Sequence, residues 1–124
     1  MNSRVSVVDS TAIGLSSLCL VHCLGLPIAA AFLPLAGAWA EAEWIHQLFV
    51  LITIPITLFA LRRHRVASVH LSFVIPALIG LSFLFAAGFI ETVRDYETPL
   101  TVLGAILLGS AHIWRWIKRY APTP

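Results

Sequence analysis

Charged residues are scarce in this 124-residue chain: Asp, Glu, Lys and Arg make up 11% of it, against about 25% in a typical soluble domain. Hydrophobic residues account for 59%, and the mean hydropathy is +0.90. This composition excludes a disordered chain and a nucleic-acid-binding protein, so we expect no nucleic-acid partner. It also argues against an ordinary soluble globule. The chain has room for about four membrane spans of ~20 residues and for no separate soluble domain.

The few charges are clustered, and four long runs contain none of them. These runs are residues 11–40, 44–61, 66–90 and 98–114. Each is long enough, or nearly so, to cross a ~30 Å hydrocarbon layer as a helix that rises ~1.5 Å per residue. The pattern predicts an all-α fold, a four-span transmembrane helical bundle in contact with lipid, forming a single domain over residues 1–124. We predict spans at about 11–33, 44–61, 68–90 and 99–117.

The first run is too long for one perpendicular helix, because its 30 residues would extend about 45 Å. Pro27 and Pro34 interrupt it, which predicts a kink near Pro27 and a bend or break near Pro34. Pro27 has no N–H to donate to the carbonyl of Cys23, so that carbonyl is expected to be free. The run is too long, and its start too weakly basic, for a cleaved signal peptide.

Basic residues predict the orientation, since Lys and Arg are retained on the cytoplasmic side. Seven of the eight lie before span one, between spans two and three, or after span four, and Arg94 is the exception. Five of the six acidic residues lie in the two opposite loops. We therefore expect both termini to be cytoplasmic.

The most informative segment lies well inside span one, where Cys19, His22 and Cys23 stand at i, i+3 and i+4. On a helix these side chains share one arc about 100° wide. Buried cysteines often act only as small hydrophobic residues, and an intramembrane histidine can simply bond to a neighbouring helix. Ionisable groups at this depth are nevertheless costly and usually functional. We therefore interpret the three residues as metal ligands.

A bound metal fits the cysteine spacing better than a disulfide does. Helical Cβ atoms four residues apart are ~5–6 Å from each other, and a disulfide needs about 3.5–4.5 Å. Two thiolates on one soft ion are about 4.6 Å apart if each metal–sulfur bond is ~2.3 Å. Such ligands select Hg(II), Cu(I) or Zn(II), and His22 is a third ligand or a base for the thiol protons. We expect no cofactor beyond the bound ion.

Three further residues are candidates along a route for the ion. Glu43 and His46 stand at i and i+3 at the start of span two, with Glu41 close by. They are placed to collect a cation, although acids at a solvated helix N-terminus are also favourable by themselves. His112 lies toward the cytoplasmic end of span four. It is either a site that receives the ion from Cys19 or a residue that caps a neighbour at the interface.

The whole pattern resembles the MerC mercury-resistance family. The resemblance covers roughly residues 10–119, and its parts are Cys-x2-His-Cys followed by Leu-Pro, a Glu-x2-His entry to span two, a basic second loop and a late Ala-His. It implies a bacterial inner-membrane protein that takes up mercuric ions, with Cys19 and Cys23 as ligands and His22 beside them. Family members with extra tail cysteines imply a cytosolic thiol acceptor; residues 119–124 of this chain contain no cysteine.

Uptake of a thiophilic ion by a carrier that is not an enzyme is therefore the leading hypothesis. One alternative is a haem-binding four-helix module in which His22 and His112 are axial ligands. Another is a redox enzyme like the four-span disulfide-transfer proteins, but those have reactive cysteines in outer loops, where this chain has none. A non-transporting membrane subunit is the third. Because four short helices enclose little space, a homodimer is compatible with the sequence.

Overall fold

The computed structural model describes residues 2–33, 42–62 and 67–120, and within these ranges every regular element is helical. The elements are α1 (Asn2–Leu20), a π turn (Val21–Gly25), α2 (Leu26–Ala30), α3 (Glu43–Arg62), α4 (Ala67–Phe89), a 3₁₀ helix (Glu91–Tyr96) and α5 (Glu97–Tyr120). The break predicted at Pro34, the acid Glu41 and most of the basic second loop lie outside the described residues.

In the described ranges, four helical segments are long and apolar enough to cross a membrane. They are Val7–Gly25, Glu43–Arg62, Leu71–Phe89 and Glu91–Lys118. Large apolar side chains such as Leu51, Leu71 and Leu103 are more than half exposed on their outer faces, as is expected where lipid is the solvent. The all-helical, four-span fold is thus confirmed, and the chain is a multi-pass membrane protein. Which side of the membrane holds the termini remains a prediction.

Two helices begin before the predicted starts of their spans, whose boundaries in the membrane stay predictions. In the first helix, the stretch that is apolar enough to span begins at Val7, ahead of residue 11, and Asp9 within it is paired and fully buried. The last helix begins at Glu97 rather than at residue 99. There, the 3₁₀ helix leads directly into α5, since Glu97 already has helical backbone angles.

Contacts between the helices show an up-down-up-down arrangement. Cys23 near the end of the first span contacts His46 near the start of α3. Gln47, the next residue of α3, donates to the carbonyl of Gly88 near the end of α4, at 3.3 Å. At the other end of α3, the carbonyl of Ala60 accepts from Arg115 of α5 at 3.3 Å. Consecutive spans therefore run antiparallel.

This arrangement gives the bundle two chemically different ends. The end that we call the acidic end contains Glu43, Glu91, Asp95 and Glu97. The opposite end, which we call the basic end, contains the start of α1 and the ends of α3 and α5, with Arg62 and Lys118. Each end contains its own group of buried polar side chains, and the two groups are separated along the helix axes.

α4 and α5 pack closely because two glycines face each other. A Cβ atom added at Gly104 would lie 2.8 Å from the carbonyl oxygen of Gly80 and 2.9 Å from Leu84 Cγ. The reverse addition at Gly80 would place a Cβ 2.8 Å from the carbonyl oxygen of Gly104. Small residues allow such backbone approach in membranes, where van der Waals packing rather than the hydrophobic effect holds helices together.

The three intramembrane prolines have different local effects. Pro55 and Pro76 lie inside α3 and α4, which continue past them. Before Pro27, however, the helix changes to a π turn over Val21–Gly25. The distortion predicted near Pro27 thus takes the form of one wider turn, a feature that is rare and occurs often at functional sites.

Candidate metal centre

The two cysteines lie together in the core of the bundle. Cys19 is in the last turn of α1 and Cys23 is in the π turn, with 4% and 5% of their surfaces exposed. Both are free thiols, and both belong to the same cluster of buried core residues. The structure therefore places both sulfurs on one interior surface, as the i, i+4 spacing predicts. Neighbouring thiols are the arrangement that a two-coordinate soft ion requires.

A histidine from another helix contacts this pair. His46 Nε2 lies 3.3 Å from Cys23 Sγ, and its ring is buried. The other ring nitrogen, Nδ1, is in close contact with a carboxylate oxygen of Glu97. An ionised carboxylate only accepts hydrogen bonds, so Nδ1–H donates to Glu97 and the Nε2 lone pair faces the thiol. Carboxylates hold metal-binding histidines in the same way.

His22 completes the polar surroundings of the thiols. It is 8% exposed, and its ring is edge-on to that of His46 with 5.0 Å between centroids. The ring of Phe49 covers a second side of His22, with 6.1 Å between the ring centroids. The Nε2 atom of His22 is buried and has no hydrogen-bond partner. A buried nitrogen without a partner costs free energy, and it is a donor available to an ion held nearby.

The π turn explains how adjacent residues can both face the interior. In an α-helix, consecutive side chains diverge by about 100°. A π turn closes with i→i+5 bonds, so each residue rotates less around the axis. His22 and Cys23, both within this turn, are consequently both buried.

An open cavity of about 170 Å³ at the acidic end lies next to the site. Its wall residues are Glu43, Gln47, Ala87, Gly88, Phe89, Ile90, Glu91, Arg94 and Glu97. Glu97 belongs both to this wall and to the bond with His46. The cavity thus borders the carboxylate that orients His46.

Glu43 has a different neighbour from the one the sequence indicates. It forms an ion pair with Arg94 at 2.5 Å, with about half of each side chain exposed. Arg94 also lies 4.0 Å from Glu91. Glu43 therefore lines the cavity but does not join His46 and the cysteines.

His112 lies at the opposite end of the bundle from the thiols. It is fully buried, and its Nδ1 is 2.8 Å from Asp9 Oδ1. It follows Glu97 by fifteen residues on α5, which corresponds to about 22 Å along the axis. The structure does not bring His112 to the cysteine site. For the same reason, His22 and His112 cannot be axial ligands of one haem iron, so that alternative is wrong.

Glu97, which contacts His46, and Asp9, which is bonded to His112, are not among the candidates predicted from the sequence. Glu97 stands in an acidic loop and looks like a solvated surface residue. The order of the spans could have indicated its position. Spans two and four begin at the same end of the bundle, which brings Glu97 near His46. Asp9 lies just before the first uncharged run and therefore looks like a flanking residue.

Among the described residues, no group of three or more His, Cys, Asp and Glu side chains is already arranged to hold a metal ion. An ion with linear, two-coordinate geometry needs only two ligands, and two thiols are present in this part of the core. His46 and His22 lie beside the pair as nitrogen donors that can move closer.

The fold and the buried thiols define a class: a four-span membrane protein with two cysteines and two histidines gathered in its core. Comparison with protein families identifies the particular one. The model of the MerC mercury resistance protein family matches residues 9–117, nearly the whole chain. The chain belongs to the MerC family. Comparisons with curated proteins and with solved structures gave no match.

Proposed function

We propose that this protein is a bacterial inner-membrane carrier, not an enzyme, that takes up Hg(II) through Cys19 and Cys23. The single observation that most supports the proposal is the burial of both thiols on one interior face of the first span, with His46 Nε2 3.3 Å from Cys23 Sγ. Membership of a mercury resistance family is consistent with that role. No cofactor is needed, because the ion is the cargo.

Loading is a ligand exchange. Hg(II) arrives with two exchangeable ligands, written X⁻. Two Hg–X bonds break and two Hg–S bonds form, while each thiol proton leaves with one X⁻ as HX. The bis-thiolate complex is electrically neutral, which avoids the large cost of placing a dication in a medium of low dielectric constant.

The ligand arrangement accounts for the choice of ion. Zn(II) sites are almost always tetrahedral, so Zn(II) would require both His22 and His46 to move onto the cysteine pair, whereas a two-coordinate ion needs only the thiols. Hg(II) and Cu(I) accept two sulfur ligands, but Cu(I) on two thiolates keeps a net negative charge in the apolar interior. We therefore propose Hg(II) as the preferred ion.

The proposed route begins at the acidic end. The ion enters the cavity bordered by Glu97, passes His46 and exchanges onto Cys23 and then Cys19. Toward the basic end, α1 and α3 present small or polar buried residues to the interior. These are Ala12 and Ser16 on α1, and Thr53 and Thr57 on α3. Two thiol groups in the cytosol are the final acceptors: two new Hg–S bonds form as the bonds to Cys19 and Cys23 break, and each acceptor thiol gives its proton to one of the cysteines.

Mercury uptake by cells that express the protein tests this proposal. Cys19→Ser and Cys23→Ser should each reduce uptake to the level of cells without the protein, because a hydroxyl is a poor ligand for a soft ion. Ser17→Ala is the matched control, since Ser17 is exposed and bonds only its own helix, to the carbonyl of Ile13. Membrane abundance of each variant is measured in parallel. Unchanged uptake in both serine variants would refute the proposal.

A further inference from the structure

A second buried polar cluster lies near the basic end, about 15 Å along α1 from Cys19. It consists of Asp9, His112 and Arg115, which are 0%, 0% and 1% exposed. Asp9 Oδ1 accepts a hydrogen bond from His112 Nδ1 at 2.8 Å and is also in close contact with Arg115. Charged groups buried at this depth are costly and usually functional.

Arg115 connects all four spans at one level. From α5 it contacts Asp9 of α1 and the carbonyl of Ala60 in α3, the latter at 3.3 Å. Its guanidinium also lies over the ring of Phe73 in α4, 4.5 Å from the centroid. One side chain thus closes the centre of the bundle at this end.

The cluster lies on the same interior face as the metal site. Asp9, Ala12, Ser16, Cys19 and Cys23 follow one another on α1 at steps of three or four residues, and all five are buried. An ion that leaves Cys19 toward the basic end along this face must pass the level of Asp9, about 15 Å away. The contacts of Arg115 with α1, α3 and α4 block that path.

The cluster is also incompletely satisfied. Asp9 Oδ2 and His112 Nε2 are buried without hydrogen-bond partners, and so is Thr57 Oγ1 on α3. A buried polar network with missing partners is less stable than a complete one. Such a network can exchange its internal bonds for bonds to water or to an incoming group when the helices separate.

We propose that Asp9, His112 and Arg115 form a gate that closes the basic end of the bundle and must open for the ion to leave. The proposal rests on the proposed carrier function. In the closed state, the Asp9–Arg115 pair holds α1 against α5 while the thiols are loaded from the acidic end. Opening separates this pair and connects Cys19 with the solution at the basic end.

The two native thiols report on this gate directly, because they are the only cysteines in the chain. Vesicles of both orientations are treated with a sulfonated maleimide that does not cross membranes, without mercury. A protease site on a C-terminal tag identifies the vesicles that expose the basic end. We expect slow labelling of the wild-type protein from that end. Asp9→Asn should increase this rate on the order of a hundredfold, since it removes one partner of a buried ion pair.

Arg115→Lys keeps the charge but loses the planar guanidinium, and it should increase the same rate about tenfold. The charge exchange D9R/R115D should restore slow labelling, which a merely structural weakening would not do. Asp95→Asn, the same type of change at an exposed acid of the acidic end, should leave both rates unchanged.

Two results would overturn the gate. In the first, Asp9→Asn and Arg115→Lys are labelled from the basic end at the wild-type rate. In the second, their labelling rates increase equally from both ends, which would indicate general loosening of the bundle. If Asp9→Asn does not accumulate in membranes, Arg115→Lys and the charge exchange decide the question by the same criteria. Because labelling is measured without mercury, failure of the gate would leave the carrier proposal standing. Failure of the uptake experiment would likewise leave the labelling result intact.

Discussion

Replacing Glu97 by glutamine tests the role of the carboxylate that holds His46. The side chain keeps its size but loses its charge, so the bond to His46 Nδ1 is no longer charge-assisted. Glutamine can also present its NH₂ group to Nδ1, which would place the ring proton on Nε2, the atom that lies 3.3 Å from Cys23 Sγ. In that state His46 has no lone pair to offer to an ion.

The expected magnitude follows from this geometry. Loss of a residue that orients a metal ligand typically lowers metal affinity by about 10- to 100-fold. Glutamine retains a hydrogen bond, so we expect the lower value, a weakening of about tenfold or ~1.4 kcal/mol. The assay is competition for Hg(II) between purified protein in detergent and a small dithiol of known affinity. Asp95→Asn, an exposed acid in the adjacent 3₁₀ helix, is the control and should bind like wild type.

A double variant tests whether Glu97 influences Hg(II) affinity through His46. Because Glu97 acts through His46, E97Q/H46A should bind Hg(II) no more weakly than His46→Ala alone. Wild-type affinity in Glu97→Gln would refute the idea that Glu97 orients a metal donor. Additive losses in the double variant would refute the idea that it acts through His46.

Three other predictions concern packing and the remaining site residues. Gly104→Ala should lower the free energy of unfolding by about 1–3 kcal/mol. Gly14→Ala, where nothing lies within 4 Å of the new Cβ, is the control and should be neutral or stabilising. Denaturation of the purified proteins compares the two variants. His22→Leu removes a buried nitrogen that has no partner, so the protein should be at least as stable as wild type and should lose less Hg(II) affinity than Cys23→Ser in the same competition assay. Glu43→Gln should change Hg(II) affinity by less than about twofold, because Glu43 pairs with an exposed arginine and exposed pairs contribute little; a tenfold loss would place Glu43 in the site.

The sequence predicts the four spans and the thiol pair well because both depend on local pattern. Long uncharged runs specify spanning helices whatever their neighbours, and an i, i+4 spacing puts Cys19 and Cys23 on one face of a helix. The partners of these residues depend on how the helices assemble. Glu97 is fifty-one residues from His46, and its role becomes visible only when the starts of α3 and α5 meet.

The same distinction explains the other differences. A carboxylate near the end of an apolar run, such as Asp9, looks like part of the flanking segment until its partners on α5 are known. Pro27 predicts that the helix is disturbed but does not specify the form of the disturbance, since a kink and a π turn both accommodate the missing N–H. The position of His112 near one end of its span follows from the sequence, but its bond to Asp9 depends on the packing of α1 against α5.

X-ray absorption at the mercury edge, on purified protein loaded with one Hg(II) per chain, identifies the atoms that bind the ion. If Cys19 and Cys23 are the ligands, the spectrum shows two sulfur neighbours at about 2.3 Å, the value for zinc–thiolate bonds, and one sulfur neighbour in Cys19→Ser. Mercury surrounded only by nitrogen and oxygen atoms, or a sulfur count that does not change in the serine variants, would contradict it.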